Sequence, residues 1–146
     1  MMNNENRSKR IIILLFPFAG LVLLVSCFFA YYAITTLVRL VVKDQMPMGF
    51  IRQIFAMSLV LIYLLVLRLK ISDKIKALLM IAPLGTLIIT VILTFYQNLP
   101  IAIALMSVIV ISVIYALHRF HKPWYYYYSL ILAVLASIAY GWPRPL

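Results

Sequence analysis

Five long apolar runs separated by short polar breaks leave this chain few ways to fold. About 20 residues of helix cross the hydrocarbon core of a bilayer, and each run reaches or approaches that length. A membrane β-barrel would show alternating segments of about ten residues. Stretches such as Leu59 to Leu67 do not alternate, so helices fit them better. Apolar residues make up 66% of 146 positions, more than a soluble domain of this size can hide from water. The expected fold class is all-α, a polytopic integral membrane helical bundle with five transmembrane helices.

The breaks set the expected boundaries. Residues 1–10 form a basic tail that reads as flexible. Residues 11–142 form a single transmembrane helical domain, and 143–146 a short C-terminal tail. The first span is expected over 11–33. Its apolar run continues to Val42, so Thr35 to Val42 is expected to form an interfacial or protruding turn, with Arg39 reaching for headgroups. Pro47 and Gly49 mark the next break, and the second span covers 50–69. Ser72 is a plausible N-cap and Asp73 suits a first helical turn, placing the third span over 75–96. Pro100 opens a fourth span over 100–117. Pro123 and Gly141 bracket a fifth over 123–141, with Trp124 to Tyr128 at one rim and Tyr140 and Trp142 at the other.

Charge supplies orientation. Lys and Arg outnumber Asp and Glu 13 to 3. With five spans and a cytoplasmic N-terminus, Arg7, Lys9, Arg10, Arg68, Lys70, Lys74, Lys76, Arg119 and Lys122 fall inside. Arg39, Lys43, Arg52 and Arg144 fall outside, following the positive-inside trend. The basic residues gather at the ends of apolar runs, where anionic headgroups lie. Anionic membrane lipids are therefore the expected partners, and nucleic acid is not: no zinc-finger spacing, RNA-binding aromatic signature or long basic arm is present. The expected location is a bacterial or archaeal plasma membrane, crossed several times.

Leu24-Val25-Ser26-Cys27 follows a basic head and an apolar run, and resembles the bacterial lipobox. The resemblance covers the first 27 residues. It implies lipidation of the Cys27 thiol and removal of the segment before it. Downstream, Phe28 to Tyr32 stays apolar where lipoproteins turn polar. The other reading of Cys27 is a small side chain buried in the first span. As the single cysteine it excludes an intrachain disulfide and a multi-cysteine metal cluster.

Two seams of small residues stand out. Ala82, Thr86, Thr90 and Thr94 recur every fourth residue in the third span, and Ser129, Ala133, Ser137 and Gly141 do so in the fifth. Such seams let helix backbones approach closely. Ala82 and the fifth-span residues are candidates for helix packing, within the chain or between copies. Thr86, Thr90 and Thr94 are candidates for a polar path or ligand groove, although threonine hydroxyls also bond their own helix carbonyls. Arg39, Arg52, Arg68, Arg119 and Lys122 are candidates for phosphate or headgroup contact. His118 and His121 sit three apart without a nearby carboxylate, so no metal site is assigned.

The absences narrow the function. No acidic residue lies within the core of a span, which argues against a self-contained proton antiporter. Asp44 and Asp73 lie in different connections, unsuited to an aspartyl dyad. There is no His-Glu-x-x-His, P-loop or dinucleotide fingerprint, and no inverted repeat. No catalytic residue and no cofactor is assigned. The leading expectation is a noncatalytic small membrane protein with a structural, accessory or regulatory role, assembling with itself or a membrane partner. The alternative is a transporter or channel subunit handling a lipid-linked or other small substrate. A membrane enzyme is the third reading.

Overall fold

Residues 4–42 and 47–141 are described by a computed structural model, and their secondary structure is helical throughout. The helices are α1 (Asn4–Val42), α2 (Met48–Arg68), α3 (Asp73–Thr94), α4 (Leu99–Arg119) and α5 (Trp124–Gly141). The protein is an all-α integral membrane bundle. Among the described residues four helices are long and apolar enough to cross a membrane: α1 from Leu14 onward, α2, α3 and α4. Helix α5 falls outside that group, since its first turns carry the polar ring atoms of Trp124 to Tyr128. Lys43, Asp44, Trp142 and Arg144 lie outside the described residues.

Local chemistry sets the helix ends. Ser72 stands at the N-cap of α3, but its side chain makes no capping bond. Its carbonyl instead accepts from the backbone N–H groups of Ile75 and Lys76 at 3.0 and 3.1 Å. Pro100 lies in the first turn of α4, where its missing N–H costs nothing. At the other end of α4, His121 adopts a left-handed φ of 47°. The Lys122 N–H then donates to the Leu117 carbonyl at 3.0 Å, and the His121 N–H to that of His118 at 3.1 Å. That pair of bonds is a Schellman ending, and it turns the chain toward α5.

The sequence predicts a crossing to about Ala33 followed by an interfacial or protruding turn over Thr35 to Val42. Instead α1 continues unbroken to Val42 and begins at Asn4, inside the basic head, for 39 residues in all. At 1.5 Å per residue its length is about 58 Å, well beyond the ~30 Å hydrocarbon core. Nothing between Ala33 and Val42 stops it. Thr35 and Thr36 donate their hydroxyls to the carbonyls of Tyr31 and Tyr32 at 2.7 and 2.9 Å, so their polar groups are satisfied on the helix itself.

The bundle is organised around α3. In its most apolar stretch 56% of residues are buried, against 6–11% for α1, α2 and α4. The other four helices all pack on it, whereas α1 does not reach α4 and α2 does not reach α5 among the described residues. The contacts also give direction. Tyr126 donates to Asp73 at 3.3 Å, Ser137 meets Gly85, and Gly141 faces Ile92, so α3 and α5 run parallel over the same depth. Gly20 lies against Ile81 and Leu24 against Gly85, so α1 runs parallel to both. Arg52 beside Thr94, and Lys76 bonded to the Leu67 carbonyl at 3.0 Å, set α2 antiparallel to α3.

Small residues make the α3–α5 contact close. Ser129, Ala133 and Ser137 have no exposed surface, and Gly141 is buried. The Ser137 hydroxyl lies 2.6 Å from the Ala133 carbonyl and 3.2 Å from that of Gly85 across the interface. The Ser129–Gly141 seam thus packs within the chain, against α3.

Ser137→Leu is therefore expected to lower stability by about 1–3 kcal/mol through overpacking, while leaving the association state unchanged. Ser137→Ala should cost about 1 kcal/mol or less. Thermal unfolding in detergent, paired with cross-linking in membranes, checks both. Loss of cross-linked oligomer with unchanged unfolding temperature would return the seam to an intermolecular role.

Candidate functional site

At the end of the bundle away from the Arg68–Lys76 connection, α1 and α3 both line a cavity of about 500 Å³. Leu21, Leu24, Val25, Cys27, Phe28 and Tyr31 line it from α1, and Thr86, Ile89, Thr90 and Leu93 from α3. Arg52 and Phe55 of α2 close one side, and Ala136, Ala139 and Tyr140 of α5 the other. The close approaches that dock α1 lie just below. A Cβ placed on Gly20 would sit 2.7 Å from Ile81 Cδ1, and one on Gly85 2.7 Å from Leu24 Cδ2. Glycine at both positions thus allows the contact at which the cavity begins.

Aromatic pairs brace α1 beside the opening. Phe28 meets Tyr140 of α5 with ring centroids 5.6 Å apart, and Tyr31 meets Phe55 of α2 at 5.5 Å. Both are tilted or edge-on, the arrangements aromatic pairs prefer. They hold α1 against α5 and α2 beside the cavity.

The walls are mainly hydrocarbon, and their few polar groups are unequally engaged. Thr86 donates to the carbonyls of Ala82 and Pro83, at 2.9 and 3.1 Å, so its hydroxyl serves the helix. Thr90 is buried against the cavity, and among the described residues its hydroxyl has no hydrogen-bond partner. Thr94 lies at the exposed end of α3 and accepts a long 3.4 Å hydrogen bond from Arg52 Nη2. The Arg52 Nε is buried with no partner among the described residues. Of the three threonines, the structure brings Thr86 and Thr90 into the cavity wall and leaves Thr94 beside it as the arginine's partner.

The remaining candidates are dispersed. Arg39 ends α1, Arg68 ends α2 and Arg119 ends α4, all exposed. Lys122 sits 5.3 Å from the Tyr126 ring centroid, in cation–π range. Arg68, Arg119 and Lys122 share the basic end with Lys70, Lys74 and Lys76, remote from the cavity. His118 and His121 have ring centroids 6.5 Å apart, and no group of three potential metal ligands occurs among the described residues. Ala82 is buried in α3. Cys27 is half-buried on the cavity wall, and neither lipidation nor its absence follows from that position.

Sequence reasoning missed Phe28, Tyr31, Phe55 and Tyr140, which frame the site. The adjacent aromatics in Phe28-Phe29-Ala30-Tyr31-Tyr32 were a visible signal, but their partners lie on α2 and α5. A second void, about 20 Å³ near the α3–α4 turn and lined by Ile92, Phe95 and Leu99 among others, is too small for an organic ligand. No family model matches the sequence, and no curated protein or solved structure matches it.

The position of Cys27 makes the cavity measurable. In purified, delipidated protein its thiol is expected to react with an apolar maleimide, and Ala136→Trp, across the cavity, to slow that reaction several-fold. Equal rates would place Cys27 outside the cavity. Intact mass read beforehand separates a blocked thiol from a lipidated one.

Proposed function

We propose that this is a noncatalytic membrane protein that holds a lipid-class amphiphile between α1 and α3, as a carrier or as the lipid-handling subunit of a larger assembly. The observation that carries the reading is the roughly 500 Å³ cavity with apolar walls and one arginine at its edge. Its volume falls in the ~300–1,000 Å³ range of small-molecule sites, and few converging polar groups on an apolar wall is the usual make-up of such sites. Between the two main sequence expectations, substrate handling gains the support. The fifth-span seam that would have served assembly is spent inside the chain.

The reading includes five crossings. Helix α5 runs beside α3 from the level of Asp73 to that of Ile92, so it occupies the depth of a helix that itself qualifies as a span. In that setting the polar ring atoms of Trp124 to Tyr128 sit at a membrane rim. The positive-inside trend then puts the N-terminus and the basic end with Lys70, Lys74, Lys76 and Arg119 in the cytoplasm. The cavity opens toward the opposite leaflet. Anionic lipids are proposed as partners at the basic end, and the plasma membrane of a bacterium or archaeon as the location.

Gentle purification followed by native mass spectrometry tests the proposal. The wild-type protein is expected to retain one lipid-class molecule per chain. Thr90→Trp and Ala136→Trp, which fill the cavity from different helices, should each lose it while still unfolding cooperatively. Retention of the same molecule by both variants would remove the cavity from consideration. A stoichiometric protein partner with no retained lipid would favour the assembly reading instead.

A further inference from the structure

We infer that the occupant of this cavity is a lipid phosphate, with its anionic head on Arg52 and one hydrocarbon chain between α1 and α3; this rests on the reading of the cavity as an amphiphile site. The arginine is the reason. A guanidinium has five N–H donors in a rigid fork that matches phosphate oxygens. In this protein Arg52 is half-buried, its Nε has no partner among the described residues, and its Nη2 has only a 3.4 Å bond to neutral Thr94. Where side chains are described, Asp73 is the only carboxylate, and it accepts from Tyr126 at the far end of the bundle. Among the described residues Arg52 has neither a counter-ion nor a full set of hydrogen bonds, a costly setting for a half-buried charge, so it calls for an anion.

Other cations of the chain are placed differently. Lys76 donates to the Leu67 carbonyl, and Lys122 lies over a tyrosine ring. Arg68 and Arg119 are exposed. Arg52 alone of these lines the cavity.

The neighbouring hydroxyls favour phosphate over carboxylate. Thr90 and Thr94 lie one helical turn apart on α3. The first hydroxyl has no partner among the described residues, and the second accepts from Arg52 and keeps its own proton to donate. A carboxylate must share two oxygens in one plane between the arginine fork and the threonines. A phosphate monoester has further oxygens to take the threonine donors. The chain below it would lie along Leu24, Phe28, Ile89 and Leu93, which offer only hydrocarbon.

The test uses the full-length protein in phosphatidylcholine nanodiscs. Lysophosphatidic acid, the monoglyceride and the fatty acid of the same chain length, and inorganic phosphate are titrated separately. Binding is read by native mass spectrometry and by protection of Cys27 from maleimide. Lysophosphatidic acid is expected to bind at least about tenfold more tightly than the monoglyceride, the scale of one charge-assisted contact. Arg52→Gln should erase that difference and leave monoglyceride binding in place, while Arg52→Lys should keep part of it. If Arg52→Gln does not fold, the wild-type ligand series and Arg52→Lys carry the test. Equal binding of phosphate and monoglyceride, blocked for both by Thr90→Trp, would overturn the headgroup assignment and keep the amphiphile site. Equal binding of the fatty acid would overturn the choice of phosphate. Equal protection by inorganic phosphate would overturn the chain. No binding of any probe would remove both readings.

Discussion

Close backbone approach to α3 is the condition on which the bundle depends. Lipid tails are as apolar as leucine, so burial from water does not draw these helices together in a bilayer; packing and interhelical hydrogen bonds must do so. The chain meets that condition by thinning side chains where helices cross. Helix α5 presents Ser129, Ala133, Ser137 and Gly141, while α1 and α3 meet through Gly20 and Gly85. The Ser137 hydroxyl at 3.2 Å from the Gly85 carbonyl adds a polar contact at the centre of that packing. Because α5 and α1 dock on the same stretch of α3, the site inherits its geometry from them. Its floor is the α1–α3 crossing, and one wall is formed by Ala136, Ala139 and Tyr140 of α5, beside the small-residue seam.

The two ends of the bundle handle charge in opposite ways. At the basic end, cations find partners or water: Lys76 reaches a helix-terminal carbonyl, Lys122 a ring face, and Arg68 and Arg119 are exposed. Lysine at a helix C-terminus also complements the partial negative charge there. At the other end Arg52 sits in the second turn of α2, near a helix N-terminus of partial positive charge, with one long neutral hydrogen bond. Among the described residues nothing of opposite charge offsets that setting. Such a position in a membrane helix is expected to mark a ligand path or an ion partner.

Much of the fold was legible because bilayer thickness and helix breakers act locally. The four later helices were bounded from Pro47, Gly49, Ser72, Pro100, Pro123 and Gly141, and they begin and end within about two residues of the expected limits. The first span was not, because a hydrophobic-length argument says how much helix crosses lipid and nothing about where a helix stops. With Thr35 and Thr36 satisfied by their own helix, α1 runs on. The site was half legible. The spacing of Thr86 and Thr90 put them on one face of one helix, and their place on the cavity wall followed from that face. The α1 wall could not be read, since Leu21, Leu24 and Phe28 look like any other lipid-facing residues until the register against α3 is known. The same limit applied to the fifth-span seam: four-residue spacing reports that some helix comes close, without saying whether it belongs to the same chain.

A cavity of this kind also constrains what fills it. Apolar walls left without packing partners forfeit dispersion contacts, so a groove of about 500 Å³ between helices favours an occupant. Water is a poor filler, because each buried molecule needs two to four polar partners. The lining supplies few: the Thr90 hydroxyl, the Arg52 guanidinium, and the tips of Tyr31 and Tyr140. Collapse is opposed by the Phe28–Tyr140 and Tyr31–Phe55 pairs, which fix α1 against α5 and α2. Hydrocarbon remains, and the bilayer supplies it at high concentration. An acyl chain without an anionic head would satisfy the walls and leave Arg52 as it stands. On the proposed reading a chain that carries an anion would satisfy both, so that reading rests on the position of this one arginine more than on the size of the cavity.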